Sequence, residues 1–441
     1  MSLRLVVAFV VAVSLTFIAL EALFVGRKTP PSHQPHSSKA PRITYLNTHH
    51  GTNNNFKEIT KRLGLSFHQF NPFRLGYGMD GTLSQELISA GWAKSLCEST
   101  DIIVTSDTAA HARFILETFL NPDKSKHCSA KVVIELTTRY DWDVKDLEEY
   151  RRLFWHLGTH NNVHWVTNNP MEPRYLADFS LVTPKFRMMR PVGYSSVPAN
   201  DVSSEEAKLP MLRLAPDSKI LKILTDLKVP YHHAVQQYGS TYGGPKTAAK
   251  HKAFIEFPYQ VSTMKMYENI MAGVVIFVPS PEFYLMLHKN DTIASRVFGE
   301  ILMTGNEWTK YNDYYCDDMK PFLYTFNSFP HLKQLLEQTP TDSRNLQKEG
   351  PVAYKKFIEA AVLGWADLFD ELGFPMTVDG KPHVVGSGPK PYSEEMRGGI
   401  RVPKSESEWK SSYDAMNKLL DDAKKKQLDS IIVDGRVEGK S

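Results

Sequence analysis

The segment from Tyr238 to Ser280 holds the residues best suited to bind a charged ligand. Its apolar run AFIEF at 253–257 predicts a buried strand, and the following MKMYENIMA predicts a short helix that ends at a glycine. Ser262 or Thr263 is suited to cap the start of that helix. Because the backbone N–H groups at a helix start favour an anion, typically a phosphate, the segment predicts an anion site at the carboxyl end of a parallel strand.

Two charged side chains of the same helix extend this prediction. Lys265 places a positive charge in the first turn, which favours an anionic ligand. Glu268 lies about one and a half turns beyond the cap, roughly 8–9 Å from it, where a ribose attached to a phosphate can reach it. The alternative is that Glu268 is an exposed acid that pairs with Lys265 on the helix surface.

Residues 238–280 resemble the donor-nucleotide region of GT-B glycosyltransferases, in which a strand, a polar loop and a helix with a glutamate precede a V-V-x-F-x-P strand. The resemblance implies that Glu268 holds the ribose hydroxyls of a nucleotide sugar and that Lys246, in the upstream YGGPK, is available for the diphosphate. Gln260 stands where many retaining members carry a second glutamate, which leaves inversion or retention open. The matching donor positions are Lys246, Tyr259, Gln260, Ser262, Thr263, Lys265, Glu268 and Asn269.

Three loops at the predicted carboxyl ends of first-domain strands carry reactive side chains. They hold His49 with His50, then Asp107, and then Asp141. An inverting transfer needs a base that takes the proton of the acceptor hydroxyl, and His or Asp can serve. We rank His50 first, Asp107 second and Asp141 third. Alternatively, Asp107 is an N-cap, and the two histidines belong to a polar loop without a ligand.

The acceptor side is predicted from polar residues in the same loops. Arg139, Asn168 and Asn169 are the acceptor-binding candidates, with Glu172 beside them, although turn formation explains the NNP sequence equally well. No DxD motif follows a strand, so no metal ion is predicted. The resemblance implies that helix dipoles and basic side chains handle the leaving diphosphate, and that the nucleotide sugar is a donor substrate rather than a cofactor.

The elements that position these residues alternate between strand and helix. Short apolar runs between helical patterns predict an α/β protein with two Rossmann-like domains, and the resemblance implies that these face each other across a cleft. The first domain is predicted to have strands at 43–46, 101–106, 131–136 and 163–167, with helices at 56–63, at 109–120 and from Asp143. The second is predicted to have strands at 253–257, 274–279 and 321–326, with helices at 220–227 and 263–272 and another that contains Leu332, Leu335 and Leu336.

The 441 residues exceed what one hydrophobic core organises. We therefore divide the chain at changes in composition and pattern. The predicted divisions are a short tail at 1–4, a transmembrane signal anchor at 5–25, a stem at 26–41, the acceptor domain at 42–195, a connection at 196–216, the donor domain at 217–345, an amphipathic helix at 346–372 and a charged tail at 373–441. One helix is predicted within this tail, around 406–427.

The apolar run from Leu5 to Val25 is long enough to cross a bilayer core of roughly 30 Å. We predict a retained anchor, with a cleaved signal peptide as the alternative and a buried core helix as another. The soluble part is then expected in the lumen of the Golgi or endoplasmic reticulum. There, Asn290-Asp291-Thr292 is an N-glycosylation acceptor. Three cysteines allow one disulfide with one cysteine left over, and the pair stays open.

The formal net charge of +3 gives no support to a nucleic-acid partner. The predicted function is a membrane-anchored glycosyltransferase that moves a sugar from a nucleotide-sugar donor to a hydroxyl of a glycan or another acceptor in the secretory pathway. Two alternatives stay open. One is a nucleotide-sugar epimerase or hydrolase of the same fold, and the other is a non-catalytic, membrane-tethered binding protein with a degenerate donor site.

Overall fold

The computed structural model describes residues 40–72, 79–158, 160–181, 186–239, 242–293, 307–339, 344–391 and 403–437. Within these ranges, no helix combines the length and the apolar character that crossing a membrane requires. The predicted anchor at 5–25 lies outside the described residues, as does nearly all of the stem at 26–41. Both stay predictions.

The first sheet has six parallel strands in the order β2-β1-β3-β4-β5-β6. The predictions for β1, β4 and β5 are confirmed residue for residue, because each is a buried run of four to six residues. Two edge strands, β2 and β6, were not predicted. The strands are β1 Ile43–Leu46, β2 Phe67–Phe70, β3 Ile102–Ser106, β4 Lys131–Leu136, β5 Val163–Thr167 and β6 Phe186–Met188.

The helices of the first domain depart from the predictions at their starts. The first helix begins at His50 rather than Phe56, so the polar HGTNNN is helical and not a loop. The stretch 109–120 is three short segments, two of them 3₁₀ helices. A helix also occupies the residues that follow NNP. The helices are α1 His50–Arg62, α2 Gly81–Ser89, α3 Trp92–Ser99, α4 Arg113–Leu116, α5 Leu147–Leu157 and α6 Met171–Asp178.

The second sheet has five parallel strands in the order β11-β10-β9-β7-β8. Its strands are short, and β7 falls inside the stretch 196–216 that was predicted to be only a connection. The prediction of an α/β protein with two parallel sheets is confirmed. The strands are β7 Met211–Leu212, β8 His232–His233, β9 Phe254–Ile255, β10 Ile276–Pro279 and β11 Tyr324–Phe326.

The three helices predicted for the second domain are present as α7, α10 and α13, whereas α8, α9, α11 and α12 were not predicted. The long helix near the C-terminus starts earlier than predicted. These helices are α7 Lys219–Asp226, α8 Ala234–Tyr238, α9 Pro245–Ala248, α10 Met264–Met271, α11 Pro281–Lys289, α12 Trp308–Tyr311, α13 Phe329–Gln338 and α14 Arg344–Glu371.

Each sheet has a point where the direction of its connections reverses. In the first sheet β1 lies between β2 and β3, so the reversal falls between β1 and β3. In the second sheet it falls between β9 and β7. Ligands of open parallel sheets bind outside the carboxyl ends of the strands at such points. A ligand site is therefore expected at the loops that follow these four strands.

The chain crosses between the two sheets twice, once after β6 and once along α14. Tyr354 of α14 donates a hydrogen bond to the carbonyl of Pro191 at 2.7 Å. Further along α14, Trp365 packs edge-on against Phe56 with 5.2 Å between the ring centroids. The end of α14 thus completes a buried apolar layer on one face of the first sheet.

The C-terminal region contains the helix predicted around 406–427 and a hairpin that was not predicted. A two-stranded hairpin, β12 Thr377–Val378 and β13 Lys381–Pro382, follows α14. The last helix, α15 Glu406–Val437, buries Trp409 and Tyr413, and Tyr413 meets Phe179 of the first domain. Cys97 and Cys128 form a disulfide, and Cys316 is a free, buried thiol, which confirms the expectation of one disulfide.

Candidate functional site

A cavity of about 940 Å³ lies where the carboxyl ends of the two sheets face each other. Its first-domain wall is formed by residues between Thr48 and Asn168, and its second-domain wall by residues between Arg213 and Glu268. The crossing segment Ser195–Asn200 contributes five further residues, with Val197 and Pro198 among them. A cavity of this size matches the usual volume of small-molecule sites.

The start of α10 forms the centre of the second-domain wall. The side chain of Thr263 accepts a hydrogen bond from the Met266 N–H at 3.3 Å, which confirms Thr263 as the cap. Its hydroxyl also lies 2.6 Å from the hydroxyl of Tyr314, which fixes its rotamer. The N–H groups of the first turn and the positive end of the helix dipole therefore face the cavity, an arrangement that favours a bound anion.

Glu268 lines the cavity one turn further along α10. Burial raises the pKa of its carboxyl to about 7, and the hydrogen bond that Tyr242 donates at 3.4 Å lowers it in part. The carboxyl of Glu268 is thus poised between its neutral and charged forms near neutral pH. Hydroxyl groups that donate to it would favour the charged form.

Lys265 does not present an uncompensated charge to the cavity, contrary to the prediction. Its ammonium lies 2.5 Å from the carboxylate of Glu256, which follows β9, and both side chains are largely buried. The ring of Phe254 lies 5.1 Å from the same ammonium. The ion pair joins α10 to the sheet. Because its net charge is close to zero, it offers little attraction to a diphosphate.

Arg213 is the cationic side chain of this wall that the sequence analysis missed. It directly follows β7, and it lines the cavity with an exposed side chain. Its position at the reversal point of the second sheet is where an anionic ligand is expected. A strand of two residues leaves no readable pattern in the sequence, which is why Arg213 was assigned to the connection.

The other predicted donor residues divide into two groups. Tyr259, Gln260 and Ser262 line the cavity. Lys246 is exposed on α9 and does not line it, although Gly243, Gly244 and Pro245 beside it do. Asn269 is buried in α10 and also lies away from the lining.

The start of α1 faces the cavity from the first domain. His49 caps this helix through Nδ1, which accepts a hydrogen bond from the Thr52 N–H at 3.3 Å. This hydrogen bond gives His49 a structural role at the start of α1. His50, also exposed in the lining, has no such cap role.

Asp107 lies directly after β3 and lines the same wall. Burial raises the pKa of its carboxyl, while the nearby His49 and the hydroxyl of Thr48, at 3.3 Å, lower it. The backbone of Asp107 is left-handed, with φ of 67°. Asp107 is not the N-cap of the helical segment that follows, because Thr108 holds that position.

The third candidate base, Asp141, lies outside the lining. Its carboxylate is buried, lies 2.6 Å from the guanidinium of Arg151 and accepts a hydrogen bond from Tyr175 at 3.2 Å. These bonds give Asp141 a structural role in joining α5 to α6. We therefore remove it from the candidate bases.

Of the three predicted acceptor residues, one lines the cavity and two do not. Asn168 lines the cavity. Asn169 is buried and caps α6 through its side-chain oxygen, which accepts from the N–H groups of Met171 and Glu172. Arg139 is outside the lining, with its guanidinium 5.3 Å from the ring centroid of Trp142.

The two walls approach each other closely at Gly51, in the first turn of α1. A Cβ atom at this position would lie 2.8 Å from the Cβ of Met264, the first residue of α10. Only glycine lets the two helix starts come this close. The starts of α1 and α10 therefore serve one shared cavity.

No protein-family model matches the chain, and no curated protein sequence matches it significantly. Among solved structures, the chain is similar to the glycotransferase of kitacinnamycin, with 9% identity and a TM-score of 0.40 over 76% of this chain and 100% of that chain. It is also similar to UGT89C1 of Arabidopsis thaliana, complexed with UDP-L-rhamnose, with 12% identity and a TM-score of 0.41 over the same shares. These values are low, so the function is inferred from the residues of this chain.

Proposed function

We propose that the protein transfers a glycosyl group from a nucleoside diphosphate sugar to an acceptor hydroxyl. One observation carries this proposal. The start of α10 and Glu268 line the same cavity as His50 and Asp107, which come from the other domain. An anion site and a candidate base on opposite walls are what transfer between two bound substrates requires.

The second-domain wall supplies the groups for the donor. The first turn of α10 and Arg213 would hold the diphosphate, and the carboxylate of Glu268 would accept hydrogen bonds from the ribose hydroxyls. Negative charge develops on the diphosphate as its bond to the sugar breaks. The helix start and Arg213 both line the cavity in which that charge would develop, so they would stabilise the transition state more than the ground state.

The first-domain wall supplies the base. We assign His50 to take the proton of the acceptor hydroxyl, because the neighbouring His49 uses its own acceptor nitrogen as a helix cap. Asp107 is the second candidate, since burial raises its pKa and so makes its carboxylate a stronger base. Replacing His50 by Gln and Asp107 by Asn separates the two, since only loss of the true base should reduce turnover by 10²-fold or more.

A thermal-shift panel of nucleotides followed by a nucleotide-release assay on the full chain tests the proposal. Binding of a nucleoside diphosphate, with nucleotide release from its sugar conjugate that an acceptor accelerates, supports transfer. Release that no acceptor accelerates indicates a hydrolase or epimerase, and no response to any nucleotide indicates a binding protein of another kind.

A matched pair of variants locates the donor site. Glu268→Ala should lower nucleotide affinity at least tenfold, while Glu282→Ala, an exposed glutamate on α11 outside the cavity, should leave it unchanged. Equal affinity in both variants would contradict the donor assignment.

We propose that the transfer needs no metal ion. In the part of the chain that the structure describes, no three His, Cys, Asp or Glu side chains are grouped to hold one. Addition of EDTA should leave the rate unchanged. A rate that falls with EDTA and returns with a divalent cation would contradict this proposal.

We also propose that residues 5–25 anchor the protein in the Golgi or endoplasmic reticulum membrane with residues 42–441 in the lumen. The disulfide between Cys97 and Cys128 supports an oxidising compartment. Asn290 is exposed at the end of α11, so a glycan can be attached there. A mobility shift on glycosidase treatment that Asn290→Gln abolishes would support the lumenal placement, and membrane-bound protein without the shift would contradict it.

A further inference from the structure

Two aspartates of the first-domain wall have a backbone conformation that side chains rarely adopt. Asp107 and Asp143 have φ of 67° and 64°, and both line the cavity. They follow β3 and β4, which are neighbours in the sheet. Aspartate adopts this conformation more readily than most residues, and Asp291 and Asp379 share it outside the cavity. What sets Asp107 and Asp143 apart is that both lie in the lining, on neighbouring loops.

Trp142 lies beside Asp143 in the same wall. Its half-buried ring packs against the guanidinium of Arg139, whose carbon lies 5.3 Å from the ring centroid. Thr137 and Thr138, from the loop after β4, add two hydroxyl groups to the lining. An apolar ring face beside hydroxyls and carboxylates suits a molecule with an apolar C–H face and many hydroxyl groups.

The charges of this wall limit what it can accept. Among the described residues that line the cavity from the first domain, none is Lys or Arg, while Asp107 and Asp143 are acidic. Burial lowers the pKa of His111 to about 4, so this lining residue is neutral at physiological pH. Carboxylates in a partly buried site repel a negatively charged group brought beside them.

The apolar area of the wall is also small. Apart from Trp142, its apolar side chains are Met79 and Ala110. A long acyl chain would need a continuous apolar surface to offset the loss of its own freedom on binding. The wall therefore suits a polar molecule better than a lipid chain.

We propose that the first-domain wall binds an uncharged saccharide as the acceptor, with Trp142 against its apolar face and Asp143 accepting hydrogen bonds from its hydroxyls. This inference rests on the proposed transfer function. In the transfer, the bond between the anomeric carbon and the diphosphate oxygen breaks, and its electron pair leaves with the diphosphate. A bond from the anomeric carbon to the acceptor oxygen forms, and the hydroxyl proton passes to His50.

The test measures nucleotide release by the full-length protein from the donor that the nucleotide panel identifies. Three acceptors are compared: aryl glycosides of neutral hexoses, the matching aryl uronides, and dodecanol. Neutral glycosides should accelerate release at least tenfold more than uronides of the same sugar configuration. Equal or greater acceleration by uronides or by dodecanol would overturn the inference.

The failure of this inference is distinguishable from failure of the proposed function. If the protein binds and cleaves the donor but no neutral glycoside accelerates release, the saccharide acceptor is wrong and donor use stands. If no nucleotide sugar is bound or cleaved, the transfer function itself is wrong.

Three variants and one control test the named residues. Asp143→Asn should raise the KM for the neutral glycoside about tenfold, and asparagine tolerates the same left-handed backbone. The variant should also reduce the difference between the neutral glycoside and the uronide in how much they accelerate nucleotide release. Trp142→Ala should raise the same KM, while Trp142→Phe, which keeps an aromatic ring, should recover most of it. Asp379→Asn is the control, because Asp379 also has positive φ but lies outside the cavity, paired with Arg62. Unchanged KM values in the Asp143 and Trp142 variants would overturn their assignment.

Discussion

The two walls of the cavity carry similar numbers of charged side chains but hold them differently. On the second-domain wall, Lys265 is neutralised by Glu256, and Glu268 accepts from Tyr242. On the first-domain wall, Asp107 and Asp143 have a left-handed backbone, and Thr48 donates a hydrogen bond to Asp107 at 3.3 Å. The second wall thus combines a helix start with side chains of both signs, whereas the acidic side chains of the first wall come from loops that follow neighbouring strands.

Each domain also contains a glutamate whose pKa is raised to about 7 by burial. Glu135, under the first wall, is almost fully buried and accepts a hydrogen bond from Tyr45 at 3.0 Å. Glu268 faces the cavity and is only partly covered. The same shift therefore has different consequences: Glu135 affects folding stability, and Glu268 affects ligand binding.

The largest effect is expected at the buried ion pair of the second wall. Lys265→Met leaves the Glu256 carboxyl buried without its partner, which should lower the free energy of unfolding by about 3–5 kcal/mol in urea titrations. The double variant Lys265→Met with Glu256→Gln should recover at least half of this loss. A loss under about 1 kcal/mol in the single variant would show that the pair does not support the second wall.

The next effect concerns Gly193, which lies two residues before the crossing segment and contacts α10. A Cβ at Gly193, where φ is 67°, would lie 2.5 Å from the Tyr267 carbonyl oxygen in α10. Gly193→Ala should therefore lower the free energy of unfolding by about 3 kcal/mol, since backbone strain and overpacking add.

Gly91→Ala is the matched control for that variant. Gly91 has φ of 82°, but a Cβ there would meet no atom within 4 Å. Gly91→Ala should lower the free energy of unfolding only by the cost of a left-handed backbone at alanine, about 1 kcal/mol. Equal losses at both glycines would mean that the chain at Gly193 is not packed tightly against α10.

A smaller effect, dependent on pH, is expected at Glu135. In the folded protein its carboxyl stays protonated up to about pH 7, while in the unfolded chain it ionises near its ordinary value of 4.5. Unfolding therefore releases a proton between these pH values, and the stability from this group is lost as pH rises from about 4.5 to 7.

Glu135→Gln should remove this dependence. Thermal unfolding of the variant and the wild type should nearly coincide at pH 4.5, and the variant should be more stable by about 2–3 kcal/mol at pH 8. A difference that does not change with pH would show that the Glu135 carboxyl is not held neutral.

The smallest effect is expected in donor binding and rests on the proposed function. If the charged Glu268 binds the ribose, its charged fraction rises about tenfold between pH 6 and 8 around a pKa of about 7, so nucleotide affinity should rise by the same factor. Glu268→Gln should remove this slope in calorimetric titrations. Any slope left in the variant belongs to the ionisation of the diphosphate, and an unchanged slope would contradict the role of Glu268.

How far the sequence predicted the fold depended on the length of the apolar runs. The strands β1, β4 and β5 are buried runs of four to six residues, and they were located to the residue. The strand β2, with the sequence FHQF, is half exposed at the sheet edge and was missed. The strand β7 has two residues, and its assignment depends on pairing with distant chain segments.

For the candidate site, local features were predictable and distant contacts were not. Thr263 and Glu268 lie on one short helix, so their relation follows from helical geometry. The pairing of Lys265 with Glu256 joins a helix to a strand, and no local pattern specifies it. The start of α1 was placed six residues too late because His49 caps it with an imidazole, which the usual N-cap preferences do not include.

The long helix α14 affects the order in which parts of the protein can fold during synthesis. Residues 361–376 complete the apolar layer over β1, β3 and α1, whose own residues lie some 300 positions earlier in the chain. As the chain leaves the ribosome, this apolar layer of the first domain cannot form until the whole second domain has been synthesised. The disulfide between Cys97 and Cys128 involves no residue of α14, so it can form during that wait and keep part of the unfinished domain together. A nascent chain that stops before residue 360 would hold the complete first sheet and still expose one of its faces to water.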